Sequence, residues 1–144
     1  MCSGPCQRAH LYQDTGRIEQ AERAYEEALS IHREVGNRRS EGIALGNLAG
    51  LYRETGRVER AESTYEQALA ILKQVGNPRD ESFFLCDFAL LSLSRGRVDE
   101  AREKWRQGAE ELRSIGAPEI ETRIRSMREA CIQAGVRPFD EAST

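Results

Sequence analysis

A stretch of this chain copies itself at a spacing of 40 residues, and that spacing narrows the fold before any single residue is considered. GRIEQAERAYEEALSI stands at residues 16–31, GRVERAESTYEQALAIL at 56–72 and GRVDEAREKWRQGAEEL at 96–112. Residues 11–50 laid on 51–90 agree at half of their positions. A period in this range marks stacked arrays, in which one supersecondary unit buries its apolar face against the next copy. Such a chain carries its information in surface shape, so an interaction surface is expected before a catalytic centre.

Within each copy the apolar residues advance in alternating steps of three and four, the signature of one helical face. They are Ile18, Ala21, Tyr25, Ala28, His32 and Val35 in the first copy. Val58, Ala61, Tyr65, Ala68, Leu72 and Val75 follow in the second, then Val98, Ala101, Trp105, Gly108, Leu112 and Ile115 in the third. An aromatic flanked by small residues lets a neighbouring helix approach closely, which is packing and not chemistry. Preceding helices are read from Leu45, Leu48, Ala49 and Tyr52, and again from Leu85, Phe88 and Ala89, with Ser92 in place of the tyrosine. Gly16, Gly56 and Gly96 close the first helix of each pair and Gly36, Gly76 and Gly116 the second, since glycine accepts the left-handed conformation that ends a helix. Asn37 and Asn77 are expected N-caps, and Pro78 and Pro118 suit a first helical position.

The two ends differ from the middle. Residues 4–15 form a weak version of the first helix, with Pro5 and Arg8 where Leu45 and Leu48 stand and only Ala9 and Tyr12 as apolar contacts. The last helix, 118–134, has one narrow stripe of Ile120, Ile124, Met127 and Cys131 amid Glu119, Glu121, Arg123, Arg125, Arg128 and Glu129. One apolar and one charged face suits a cap that keeps an array soluble. Gly135 ends it, and the residues beyond read as a frayed tail. Seven helices and no strand are expected.

Composition excludes several classes. A net charge of −3 with 31% charged residues lacks the basic stripe of a nucleic-acid binder. No apolar run reaches the length of a membrane-spanning helix. The opening MCSGPCQRAH has no apolar core of a leader peptide, and four cysteines without a framework suit a reducing compartment, so a cytoplasmic location is expected. Cys2, Cys6 and His10 recur at steps of four and could share a helix face as zinc ligands. No second metal-type pair accompanies them, so no metal, no cofactor and no enzyme activity are expected.

These residues resemble the tetratricopeptide repeat. Leu45, Leu48, Ala49, Tyr52, Gly56, Ala61, Tyr65 and Ala68 fall on its signature positions; the third copy matches with Leu85, Phe88, Ala89, Gly96, Ala101 and Trp105 but departs at Ser92 and Gly108. The 40-residue period, ALGNLAGLYRETGR and ALAILKQVGN are similar to the long-repeat subfamily of G-protein-signalling modulators, kinesin light chains and bacterial regulators. The resemblance implies an all-α, right-handed α-solenoid of antiparallel helix pairs, about three repeats plus a C-terminal capping helix. It divides into a single domain over 1–136 (pairs 4–36, 37–76 and 77–116, cap 117–136) and a tail, 137–144.

It also implies a protein-interaction scaffold whose first helices line a concave groove that takes a partner's peptide or helix. Off-stripe residues there are Gln7 and His10 in the first pair, Asn47, Gly50 and Arg53 in the second, and Phe83, Asp87 and Leu90 in the third. Gly46 and Cys86 fall on the same side. Gln7, Asn47 and Asp87 form a ladder on which an amide would address a peptide backbone and Asp87 offers an acceptor only. Arg53 could hold a ligand carboxylate, and Leu90 would give apolar specificity. No lysine lies in a groove helix, so a chaperone tail is not the expected ligand. A weak homo-oligomer, stacked end to end through the Tyr12/Ile18/Tyr25 edge, is the alternative, and a metal-dependent sensor or enzyme at Cys2, Cys6 and His10 the second.

Overall fold

Six helices run through residues 17–140, which are those that this structure, a computed structural model, describes: α1 (Ile18–Glu34), α2 (Arg38–Glu54), α3 (Val58–Gln74), α4 (Pro78–Ser94), α5 (Val98–Ser114) and α6 (Glu119–Ala134). No strand occurs among the described residues, and the fold is the all-α repeat that the spacing predicts. The segment read as the first, weaker helix, with Cys2, Cys6, Gln7, His10 and Tyr12, lies outside them.

Each helix stops by the same device. Gly36 has φ +72°, its N–H donates to the Arg33 carbonyl, and the Asn37 N–H donates to the His32 carbonyl at 2.9 Å. That pair of bonds satisfies carbonyls that a helix end would leave unpaired. The geometry recurs at Gly56, Gly76, Gly96, Gly116 and Gly135. Asn37 caps α2 as expected, its Oδ1 accepting from the Ser40 N–H at 3.2 Å. Pro118 stands one residue before α6, in helical conformation.

The described residues divide into two compact units, 17–77 and 78–140. In the first, α2 packs between α1 and α3, burying Ala21, Tyr25 and Ala28 on one side and Ala61, Tyr65, Ala68 and Leu72 on the other. Gly42 lets the backbone of α2 come against Leu72, whose Cδ2 would stand 2.9 Å from any added Cβ. Polar clamps set the turns. Arg57 donates twice to Glu22 at 3.0 and 3.1 Å, and the buried Glu41 carboxylate accepts from Arg33 and Arg38. His32 is buried at the position Leu72 and Leu112 hold in the other copies, and its Nε2 has no hydrogen-bond partner among the described residues. Leaving such an atom unpaired costs about 1–3 kcal/mol. His32→Leu is therefore expected to stabilise the chain by about 1–2 kcal/mol, seen as a higher urea midpoint at unchanged slope. A lower midpoint would show that the imidazole makes a stabilising contact.

In the second unit Ala89, Trp105, Ala109 and Leu112 form the core with Ile120, Met127 and Cys131 of α6, as the narrow stripe on α6 predicts. The opposite face of α6 is charged. By register, Leu85, Phe88, Ala89 and Ser92 of α4 become Arg125, Arg128, Glu129 and Ile132, all exposed. A further helix cannot bury that face without desolvating three charges. The segment after Gly135 is not frayed where it is described: Val136 and Phe139 pack on the core, the Phe139 N–H meets Met127 Sδ at 3.2 Å, and Arg128 donates to Asp140. An apolar side chain four residues past the cap outweighs the chain's tendency to fray.

Candidate functional site

Small residues on α6 open a cleft beside α4. Ala130 and Ala134 stand one turn apart, and with Gln133 they face Leu90, Leu93 and Ser94 across a space of about 260 Å3. Leu90 is only half-buried, so one face of its side chain is offered to the opening. Leu93 is buried and fixes the floor.

Two turns toward the start of α4 the surface changes character. The Arg123 guanidinium, from α6, lies 3.9 Å over the Phe83 ring, and its Nη1 stands 2.8 Å from Asp87 Oδ1. Phe83 in turn meets Phe84 edge-on, with ring centres 5.5 Å apart. The side chains of Arg123 and Asp87 are 18% and 10% exposed, so water screens this pair little. Burying two charges costs several kcal/mol each, and their attraction in a low-dielectric setting offsets this only with close geometry. Arg123 Nε is buried with no acceptor among the described residues. The result is a close-packed patch of aromatic ring, guanidinium and carboxylate two turns along α4 from the apolar cleft.

On α2, in the other unit, Asn47 and Gly50 are half-buried. A Cβ on Gly50 would lie 3.7 Å from Tyr65 Oη, an ordinary van der Waals contact. Arg53 is half-buried and its Nε has no hydrogen-bond acceptor among the described residues. Gln7 and His10 lie outside the described residues. The structure thus leaves Phe83 and Leu90 half-buried on the side of α4 that α6 adjoins, while Asp87, expected to offer an acceptor there, is buried and paired with Arg123.

Two residues expected on this side belong to the core instead. Gly46 is buried, and Cys86 is fully buried where α4 crosses α5 at Gly108. Burial, with the Asp87 charge beside it, pushes the Cys86 thiol up to about 12, so it holds its proton at neutral pH and is not a reactive thiol. Arg123 is the residue that sequence reasoning missed, having been read as part of a solvated face. A signal was there: Arg123 stands 40 residues after Phe83 and so shares its register.

Among the described residues no helix is long and apolar enough to cross a membrane, and no three His, Cys, Asp or Glu side chains converge as metal ligands. A family model described as tetratricopeptide repeat matches residues 3–74, half of the chain. No curated protein matches it in sequence. Among solved structures, BtubC (BKLC) from P. vanneervenii is similar with a TM-score of 0.75 at 22% identity, over 91% of this chain and 55% of that one. A Podosopora anserina protein of the kinesin light chain type, with nearly identical TPR-like repeats, is similar in two structures. Their TM-scores are 0.73 and 0.71, each at 20% identity, over 91% and 92% of this chain and 65% and 69% of those. The chain thus spans a little over half of the first of these proteins and about two thirds of the other. At these identities the likeness is one of fold.

Proposed function

Since this chain belongs to the tetratricopeptide-repeat family, whose members generally mediate protein–protein interaction, we propose that it is a scaffold that holds a segment of a partner protein along the first-helix faces of its pairs. The observation that carries this reading is the cleft at Leu90, an apolar recess bordered by a fixed charged patch. A recess of this size takes one aliphatic side chain, while the Phe83–Arg123–Asp87 patch supplies polar specificity at its border. On α2, in the other unit, Asn47 would address the backbone of a segment bound there with an amide that donates and accepts. Gly50 would permit close approach, and Arg53 would meet a carboxylate or carbonyl with its fork of donors. The role is binding and not catalysis, in the cytoplasm, without cofactor. Preorganisation does the work: helices fixed by packing need not be ordered again when the ligand arrives.

A selection from a random peptide library displayed on phage tests this reading. The selected peptides are expected to share one aliphatic position, and Leu90→Glu is expected to weaken them at least about tenfold. Loss of one buried aliphatic contact is worth about 1.5–3 kcal/mol, and tenfold is about 1.4 kcal/mol. Far-UV circular dichroism would establish equal helicity in the two proteins. Peptides held equally by both would place the binding surface elsewhere.

A further inference from the structure

The segment after α6 leaves a second recess, of about 740 Å3, against α5. Trp105 and Ala109 form its buried floor, and Phe139 forms a wall with the Arg102 guanidinium 5.5 Å over its ring. Four arginines line it, Arg102, Arg106, Arg113 and Arg137, against two carboxylates, Glu110 and Asp140. Asp140 is already met from outside the lining by Arg128, whose Nε donates at 2.9 Å. Arg113 makes no ion pair among the described residues. Arg102 and Arg106 reach Asp99 at 3.0 Å and Glu103 at 3.6 Å, carboxylates that are 99% and 57% exposed. Exposed pairs of that kind are worth at most about 1 kcal/mol, so an incoming carboxylate can replace them.

The excess of positive charge runs against a chain whose net charge is −3. The repeat accounts for only part of it. The same register walls a groove of about 480 Å3 in the first unit, where Glu26, Leu29, Ser30 and Arg33 stand in place of Arg106, Ala109, Glu110 and Arg113. Arg33 is there bonded to Glu41, and Glu26 reverses the sign of Arg106. Arg60 also lines the first groove, which thus has two arginines against one carboxylate; the groove recurs with a smaller positive excess than the four arginines against two carboxylates of the second unit.

We propose that this recess docks an acidic segment of a partner protein. Arg106 and Arg113 lie two helical turns apart, about 10 Å, a span of about three residues of extended chain. Two carboxylates at that separation are received by the two guanidinium groups, each able to bind in bidentate fashion. The aliphatic part of the segment lies on the apolar floor beside Phe139. The site is separate from the cleft at Leu90 and does not depend on it.

Trp105 is the chain's only tryptophan, and it lines the recess, so its emission reports occupancy. Titration of the whole chain with a blocked hexaglutamate peptide is expected to give a saturable change in that emission. The affinity falls as salt rises from about 50 to about 300 mM, since the contacts are screened. Arg106→Glu with Arg113→Glu is expected to weaken binding at least about tenfold at equal helicity, while Leu90→Glu binds hexaglutamate like the wild type. A saturable change absent in the wild type overturns the proposal, as does undiminished binding by the double variant. Equal binding of hexalysine, or of an oligonucleotide of the same charge as hexaglutamate, overturns it too.

Discussion

Asp87→Ala is expected to cost the chain about 3–5 kcal/mol in urea unfolding, the largest loss at any surface-adjacent position considered. The reason is the partner it would leave behind. Arg123 is held between the Phe83 ring and the Asp87 carboxylate with little access to water. Removing Asp87 leaves a guanidinium, already with one unmet donor at Nε, in a site with little access to water. The converse experiment decides whether the pair or its burial matters. Asp87→Leu with Arg123→Met removes both charges and keeps the volume, and it is expected to lie within about 1–2 kcal/mol of the wild type. Stability of the wild-type pair should change little between low and moderate salt, as screening reaches buried charges weakly. If Asp87→Ala unfolds at the wild-type midpoint, Arg123 has an alternative route to solvent and the patch is not rigid. That outcome would also remove the polar border assigned to the Leu90 cleft.

The helices and their ends were legible because each is written locally and repeated along the chain, and the stripe of α6 because it too is local. A stripe at steps of three and four needs no partner to be seen, and a glycine past its end has one dominant use. Arg123 and Cys86 were not legible because their neighbours come from other helices. Arg123 sits among five other charged residues of α6, and only the packing angle against α4 turns it inward while Arg125 and Arg128 stay exposed. Cys86 is fully buried, one turn along α4 from the half-buried Leu90 of the cleft. A difference of about 100° between adjacent residues separates groove from core, and a stripe of this width does not resolve it. The packed segment after Gly135 was misread because Phe139 is a single apolar residue without a periodic context.

Gly108→Ala is expected to destabilise the chain by about 2–3 kcal/mol, although alanine is the better helix former by about 1 kcal/mol. The sign is decided by space. A Cβ at 108 would stand 2.7 Å from Cys86 Sγ and 2.8 Å from the Ser82 carbonyl oxygen. The thiol can turn, but the carbonyl is part of α4 and yields only if the helices separate, which loosens the contacts of Ala89, Trp105 and Leu112 in the same core. The repeat shows what the glycine compensates. By register the second pair has Gly46 and Ala68 where the third has Cys86 and Gly108, so the larger residue has moved from one helix to the other. Gly108, a departure from the family pattern, is thus the counterpart of Cys86. Cys86→Gly with Gly108→Ala restores the arrangement of the second pair. It is expected to recover at least about 1 kcal/mol beyond the sum of the single changes, a coupling measurable by a double-mutant cycle in urea. Recovery stays incomplete, because the Ser82 carbonyl remains in place. Additive effects in that cycle would mean that the backbone contact alone demands glycine, and that Cys86 fills the space without having required it.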